Sequence, residues 1–162
     1  MKRYDITALA RRLGHSCARR GVMVATAESC TGGGVAEAIT RISGSSSWFD
    51  RAFVTYTNTA KTEVLGVPER SLAAHGAVSE EVAREMAEGA LALSHADVSV
   101  AITGIAGPSG GTRAKPVGLV YIGWAARGGT VQVRRFHFKG GREAVRSQSV
   151  AFALQGLIEI IG

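Results

Sequence analysis

Val22-Met23-Val24-Ala25-Thr26-Ala27-Glu28-Ser29-Cys30-Thr31-Gly32-Gly33-Gly34-Val35-Ala36-Glu37-Ala38-Ile39 runs from an apolar stretch through small polar residues and glycines into a helix-like segment. That order predicts a strand over 22–27, a tight turn, and a helix over roughly 31–43. Ser29 would stand at the turn, where a helix presents unpaired N–H groups and the positive end of its dipole. A hydroxyl there can attack a carbonyl while neighbouring N–H groups stabilise the oxyanion. The same residues would equally serve as an ordinary N-cap and turn.

Outward from this stretch, apolar positions Ile6, Leu9, Leu13 and Cys17 fall on one face of a helix over 5–20, with Asp5 as cap and Gly21 as stop. Gly44-Ser45-Ser46-Ser47 reads as a loop and 52–56 as a second strand. A short helix from Asn58 to Leu65 ends at Gly66 and Pro68. Ser79, with Glu80 and Glu81, starts a helix that turns Val82, Met86, Ala90 and Leu93 inward. Val98, Val100 and Ile102 alternate as in a strand, and 103–116 form a Gly, Pro and Ser loop. Strands over 117–126 and 130–138 make an antiparallel hairpin. The inward set of the second shifts from Val131 and Val133 to Phe136 and Phe138, which suggests a bulge at Arg134-Arg135. A last helix runs from about Glu143 to the end, with Val150, Leu154, Leu157 and Ile161 as its stripe. Early alternation of helix and strand, closed by a hairpin, predicts one α/β domain over 1–162: a three-layer α/β/α sandwich with a mixed parallel and antiparallel sheet.

Three segments end at strand termini, where α/β folds build sites: the Ser29 turn, Tyr56 to Lys61, and Thr103 to Gly111. A serine nucleophile needs a base. Of the 4 histidines, His15, His95 and His137 stand in no evident motif, whereas His75 lies in Ala74-His75-Gly76-Ala77-Val78. Lys61 is the other candidate base, if desolvation makes its neutral amine available. Among 19 lysines and arginines, only Lys2, Lys61, Lys115 and Lys139 are lysines. Tyr56 could relay a proton or orient the nucleophile. The Thr103–Gly111 loop could turn successive N–H groups toward a phosphate or carboxylate. Arg142 and Arg146, four apart, share a helix face near a helix start, where a bound anion would compensate their unfavourable place on the dipole.

The formal charge of +6 comes from scattered cations, without the basic runs and interleaved aromatics of single-strand binders, so nucleic acid is not the expected partner. No apolar run reaches the roughly 20 residues that span a bilayer, and the start, Met1-Lys2-Arg3-Tyr4-Asp5, lacks the apolar core of a secretion signal. Cys17 and Cys30 have neither the number nor the spacing of a metal site or disulfide framework. A cytoplasmic enzyme or binding protein that needs no metal and no cofactor is the expectation.

Together the motifs resemble the CinA C-terminal domain family, in particular its stand-alone nicotinamide-nucleotide amidohydrolases of the PncC type. The matching residues are Thr26 to Gly33, Phe53 to Asn58 with Lys61, and His75 to Ser79. Thr103 to Pro108, Lys115 to Gly118 and Gly141 to Arg146 complete the set, in the family's order over nearly the whole chain. The resemblance implies hydrolysis of the carboxamide of nicotinamide mononucleotide, in pyridine-nucleotide salvage, by a homo-oligomer of the stand-alone form. It carries the family's proposed catalytic serine, tyrosine and lysine onto Ser29, Tyr56 and Lys61. On this reading Lys61, directly or through Tyr56, takes the Ser29 proton, and N–H groups near Thr31 and Gly32 hold the oxyanion. Glu28, Cys30, Thr31 and Gly32 would contact substrate beside the nucleophile. Thr103, Gly104, Ile105, Ala106 and Gly107, with Arg142 or Arg146, would anchor the 5′-phosphate. The alternative is a nucleotide-binding or regulatory module without catalysis, which would use the same glycine loops and arginines.

Overall fold

A computed structural model describes residues 3–162, so Met1 and Lys2 of the leader reading lie outside the described residues. The first helix, α1 (Ile6–Arg20), begins and ends as the sequence predicts. Asp5 Oδ1 accepts from the Ala8 N–H at 2.9 Å, and Gly21 closes the helix in the left-handed conformation at φ 65°. Strand β1 (Val24–Glu28) follows, then α2 (Gly34–Thr40), a 3₁₀ turn over Ser45–Ser47, and β2 (Phe49–Val54). Helices α3 (Asn58–Leu65), α4 (Glu69–His75) and α5 (Glu80–Ala92) lead to β3 (Val98–Gly104), β4 (Leu119–Ala126), β5 (Val131–His137) and α6 (Arg142–Ile161).

The five strands lie in the order β2-β1-β3-β4-β5. Strand β1 pairs parallel with β2 and β3, while β3–β4 and β4–β5 are antiparallel, which is the expected mixed sheet. Helices α1, α2 and α6 cover one face around Leu13, Ile39, Val100, Ile122, Trp124 and Leu154. Helices α3 and α5 cover the other, around Ala25, Leu65, Val82, Met86 and Ala101. Every residue of β1 is buried, as in a central strand covered on both faces.

Several boundaries move for local reasons. Helix α2 begins at Gly34, not near 31, because Gly32 (φ 57°) and Gly33 (φ 98°) turn the chain through left-handed backbone first. Strand β2 spans 49–54 rather than 52–56: the Trp48 carbonyl already accepts from Val24 N–H at 2.8 Å, and the chain leaves the sheet after Thr55. Helix α4 is an addition to the sequence reading; none of its residues is buried, so it carries no apolar stripe to read. Leu93, expected inward, lies just past α5 and is 48% exposed.

The expected bulge at Arg134-Arg135 does not form, since β5 pairs with β4 in unbroken register from Val131 to His137. The change in apolar parity is instead a change of face. Val131 packs on the α5 side, whereas Phe136 packs on the α6 side against Phe152, 5.1 Å between ring centroids. An edge strand that packs half-buried apolar residues on both of its faces needs no slip to place both sets.

Helix α6 approaches the sheet closely at Gly156. Trp124 lies against it and donates from Nε1 to the Ala153 carbonyl at 3.1 Å. A methyl group at Gly156 would overlap the Trp124 indole, a rigid group that cannot swing aside locally. Gly156→Ala is therefore expected to destabilise the protein by about 1–3 kcal/mol through overpacking; urea unfolding at matched m-value measures it.

Candidate active site

Because β1, β2 and β3 run parallel, their C-terminal ends meet at one edge, and the three candidate segments converge there. They enclose a cavity of about 250 Å³ bordered by Ser29, Cys30, Tyr56, Lys61, Arg142 and the stretch Thr103–Gly107. Ser29 follows β1 directly, and its N–H donates to the Ile102 carbonyl of β3 at 3.0 Å. Lys61 sits in the first turn of α3, whose start is fixed by Thr57 Oγ1 accepting from Ala60 N–H at 3.1 Å.

Lys61 Nζ lies 3.0 Å from Ser29 Oγ, 3.0 Å from the Thr55 carbonyl and 3.2 Å from the Tyr56 carbonyl. A neutral amine has two N–H donors and one lone pair. The two carbonyls accept the donors, which leaves the lone pair for the Ser29 hydroxyl proton. The side chain is 1% exposed, and this burial holds the ammonium below the usual lysine range. A charge on Cys30 would oppose that shift. Burial, however, pushes the Cys30 thiol up to about 11, which disfavours a thiolate at this position.

Tyr56 stands differently from the relay reading. Its hydroxyl accepts from Arg142 Nη2 at 2.9 Å, and the side chain is 56% exposed at the rim. Lys61 reaches Ser29 without an intermediary, and what Tyr56 gives Lys61 is its main-chain carbonyl. Arg142 also donates from Nη1 to the Gly107 carbonyl at 2.8 Å, so it spans the rim from Tyr56 to the glycine loop. In that loop, among the described residues, Ala106, Gly107, Ser109 and Gly110 donate no backbone hydrogen bond, a free row of N–H groups suited to an anion. Thr103 Oγ1 is spent on the Ala77 carbonyl at 2.8 Å.

Further expected substrate contacts are engaged within the protein. Glu28, fully buried, is the cap of α2. Its Oε1 accepts from Thr31 Oγ1 at 2.7 Å and Val35 N–H at 2.8 Å, and its Oε2 from Ala36 N–H at 3.0 Å. The helix dipole is thus matched by this carboxylate rather than by substrate. Glu28→Gln replaces one acceptor oxygen with an amide that cannot accept, and is expected to cost about 2 kcal/mol, read as a lower urea midpoint. The Gly32 N–H donates to the Ser29 carbonyl at 2.9 Å, so it is not an oxyanion donor. The N–H groups of Cys30 and Thr31, among the described residues, donate to no carbonyl. Arg146 faces the carbonyls of Cys30 and Thr31 at 3.2 and 3.3 Å, not the glycine loop.

His75 lies outside the cavity, exposed at the end of α4 with Nδ1 3.8 Å from Glu81 Oε1. Its neighbours Ala77 and Val78 line the cavity, as do Asn58, Ser109 and Gly110. Each lies inside a stretch the sequence marks; their backbone placement, not a chemical signature, brings them in. Among the described residues, no group of three His, Cys, Asp or Glu side chains is gathered to hold a metal.

A serine in contact with a desolvated lysine lies at the carboxyl ends of parallel strands, beside a glycine-rich loop, on an α/β/α scaffold. The chain belongs to the CinA family: the CinA C-terminal domain profile matches residues 6–161. It is 53% identical over 153 residues to "Nicotinamide-nucleotide amidohydrolase PncC" of Escherichia coli K12, covering 94% of this chain and 93% of that one. It is 54% identical over 155 residues to the protein of the same name from Pseudomonas putida, covering 96% of each. The crystal structure of competence/damage inducible protein CihA from Agrobacterium tumefaciens superposes with a TM-score of 0.95 at 48% identity, covering 99% of this chain and 98% of that one.

Proposed function

We propose that the protein hydrolyses the carboxamide of nicotinamide mononucleotide to nicotinate mononucleotide and ammonia. The observation that carries this reading is the 3.0 Å contact between Ser29 Oγ and the buried Lys61 Nζ. The names of the relatives in Escherichia coli and Pseudomonas putida supply the substrate. Ser29 Oγ attacks the carboxamide carbon as its proton passes to neutral Lys61. The Cys30 and Thr31 N–H groups receive the oxyanion; one such donor is worth about 3 kcal/mol. The C–N bond breaks as Lys61 returns the proton, and ammonia leaves. Water then attacks the acyl-serine, giving its proton to Lys61, which restores the Ser29 hydroxyl. The glycine loop and Arg142 hold the 5′-phosphate, and that remote contact positions the reacting amide. A binding module would have no use for a lysine desolvated onto a serine, which favours catalysis over the non-catalytic reading. The relatives' name is also consistent with a role in pyridine-nucleotide salvage.

The test is the appearance of ammonia and nicotinate mononucleotide in equal amounts from nicotinamide mononucleotide; a folded protein that releases neither refutes the activity. Two further outcomes are expected. The rate rises with pH as the Lys61 ammonium loses its proton, because only the neutral amine can accept. The midpoint of kcat/KM lies below the ordinary lysine value of about 10.4, since burial lowers it; a midpoint at or above that value contradicts the base role. Arg142→Ala raises KM by about tenfold or more and spares most of kcat, as loss of a phosphate contact distant from the carboxamide should.

A further inference from the structure

Arg146 is a cation at the active-site turn that the proposed reaction leaves without a task. Its Nε donates to the Cys30 carbonyl at 3.2 Å and its Nη2 to the Thr31 carbonyl at 3.3 Å. A peptide unit is planar and trans, so the direction of a carbonyl fixes the N–H of the next residue on the opposite side. The Ser29 carbonyl is held by the Gly32 N–H at 2.9 Å, and that bond sets the Cys30 N–H. The Cys30 carbonyl receives no backbone donor among the described residues; Arg146 holds it, and so sets the Thr31 N–H. Each candidate oxyanion donor is thus aimed through the carbonyl of the residue before it, the first by the turn itself and the second by α6.

We propose that Arg146 is a positioning residue for the oxyanion site: its guanidinium fixes and polarises the Cys30–Thr31 peptide so that the Thr31 N–H is aimed at the developing charge. This rests on the amidohydrolase reading above. Two further features favour it over a phosphate contact. Arg146 reaches the main chain beside Ser29, whereas Arg142 reaches the glycine loop. The turn it holds contains Gly32 at φ 57° and Gly33 at φ 98°, backbone that glycine leaves free to reorient once a restraint is removed. A cationic donor on a peptide carbonyl also strengthens the N–H across the same amide.

The experiment is steady-state kinetics on nicotinamide mononucleotide for the native chain, Arg146→Ala and Arg146→Lys, with product inhibition by nicotinate mononucleotide measured in parallel. Arg146→Ala is expected to lower kcat by about tenfold to a hundredfold, approaching the 10²–10³ lost with a whole oxyanion donor. KM and the product inhibition constant should stay within about twofold. Arg146→Lys, which can reach one carbonyl, should recover part of kcat. A raised KM and weakened product inhibition with kcat retained overturn the proposal in favour of a phosphate contact; unchanged kinetics overturn it outright. A kcat loss that tracks a loss of melting temperature across both variants, with no recovery in lysine, makes Arg146 merely structural and also overturns it. Absence of turnover by the native chain is the failure of the amidohydrolase reading instead.

Discussion

Ser29→Ala is expected to reduce kcat for ammonia release from nicotinamide mononucleotide by about 10⁴–10⁶-fold, the range for losing the nucleophile of a unit whose members act together. The hydroxyl's side-chain contact is with Lys61, and its removal deletes no buried apolar group. Melting temperature should therefore stay within a few degrees. KM for the residual reaction should also be little changed, because Arg142 and the glycine loop are untouched. Circular dichroism and product inhibition check both points. A variant that folds normally and keeps more than about a tenth of native kcat would remove Ser29 from the chemistry.

Lys61 is the second position of large effect. Lys61→Met keeps the length of the side chain in its buried slot and removes the amine; kcat is expected to fall by about 10³-fold or more. Lys61→Arg is the sharper variant, because arginine keeps the charge but stays protonated and cannot act as base. It should be as inactive as the methionine variant, and the alkaline rise of the pH profile should vanish in both. An active Lys61→Arg protein would show that position 61 works by charge alone. Methionine leaves the Thr55 and Tyr56 carbonyls without their donor, so some loss of stability is expected; urea midpoints separate that loss from the kinetic one.

How much of this was legible in the sequence divides along physical lines. Cap and stop residues act locally, so α1 with Asp5 and Gly21, α3 from Asn58 to Leu65, and α5 after Ser79 fall where the chain spells them. Apolar periodicity located β3 and the stripe of α6 for the same reason. Helix α4, with no buried residue, has no periodicity to read, and the parity change along β5 is ambiguous until both faces of the sheet are known to be covered. At the site, Ser29 and Lys61 are recognisable as residue types at strand ends, but their 3.0 Å contact depends on the parallel pairing of β1 with β2. Glu28 reads as a substrate contact through the family resemblance, and Arg146 because a cation near a helix start suggests a bound anion. Only the fold shows that one caps α2 and the other holds the carbonyls of the turn.

The most direct test of an acyl-serine on Ser29 is partition with hydroxylamine. The native protein turns over nicotinamide mononucleotide in the presence of hydroxylamine, and ammonia and hydroxamate are counted together. An acyl-enzyme gives the hydroxamate of nicotinate mononucleotide in proportion to hydroxylamine, with ammonia release undiminished, and neither product from Ser29→Ala. Continued ammonia release with no hydroxamate at any hydroxylamine concentration would mean that water attacks the carboxamide directly, and would contradict Ser29 as the nucleophile.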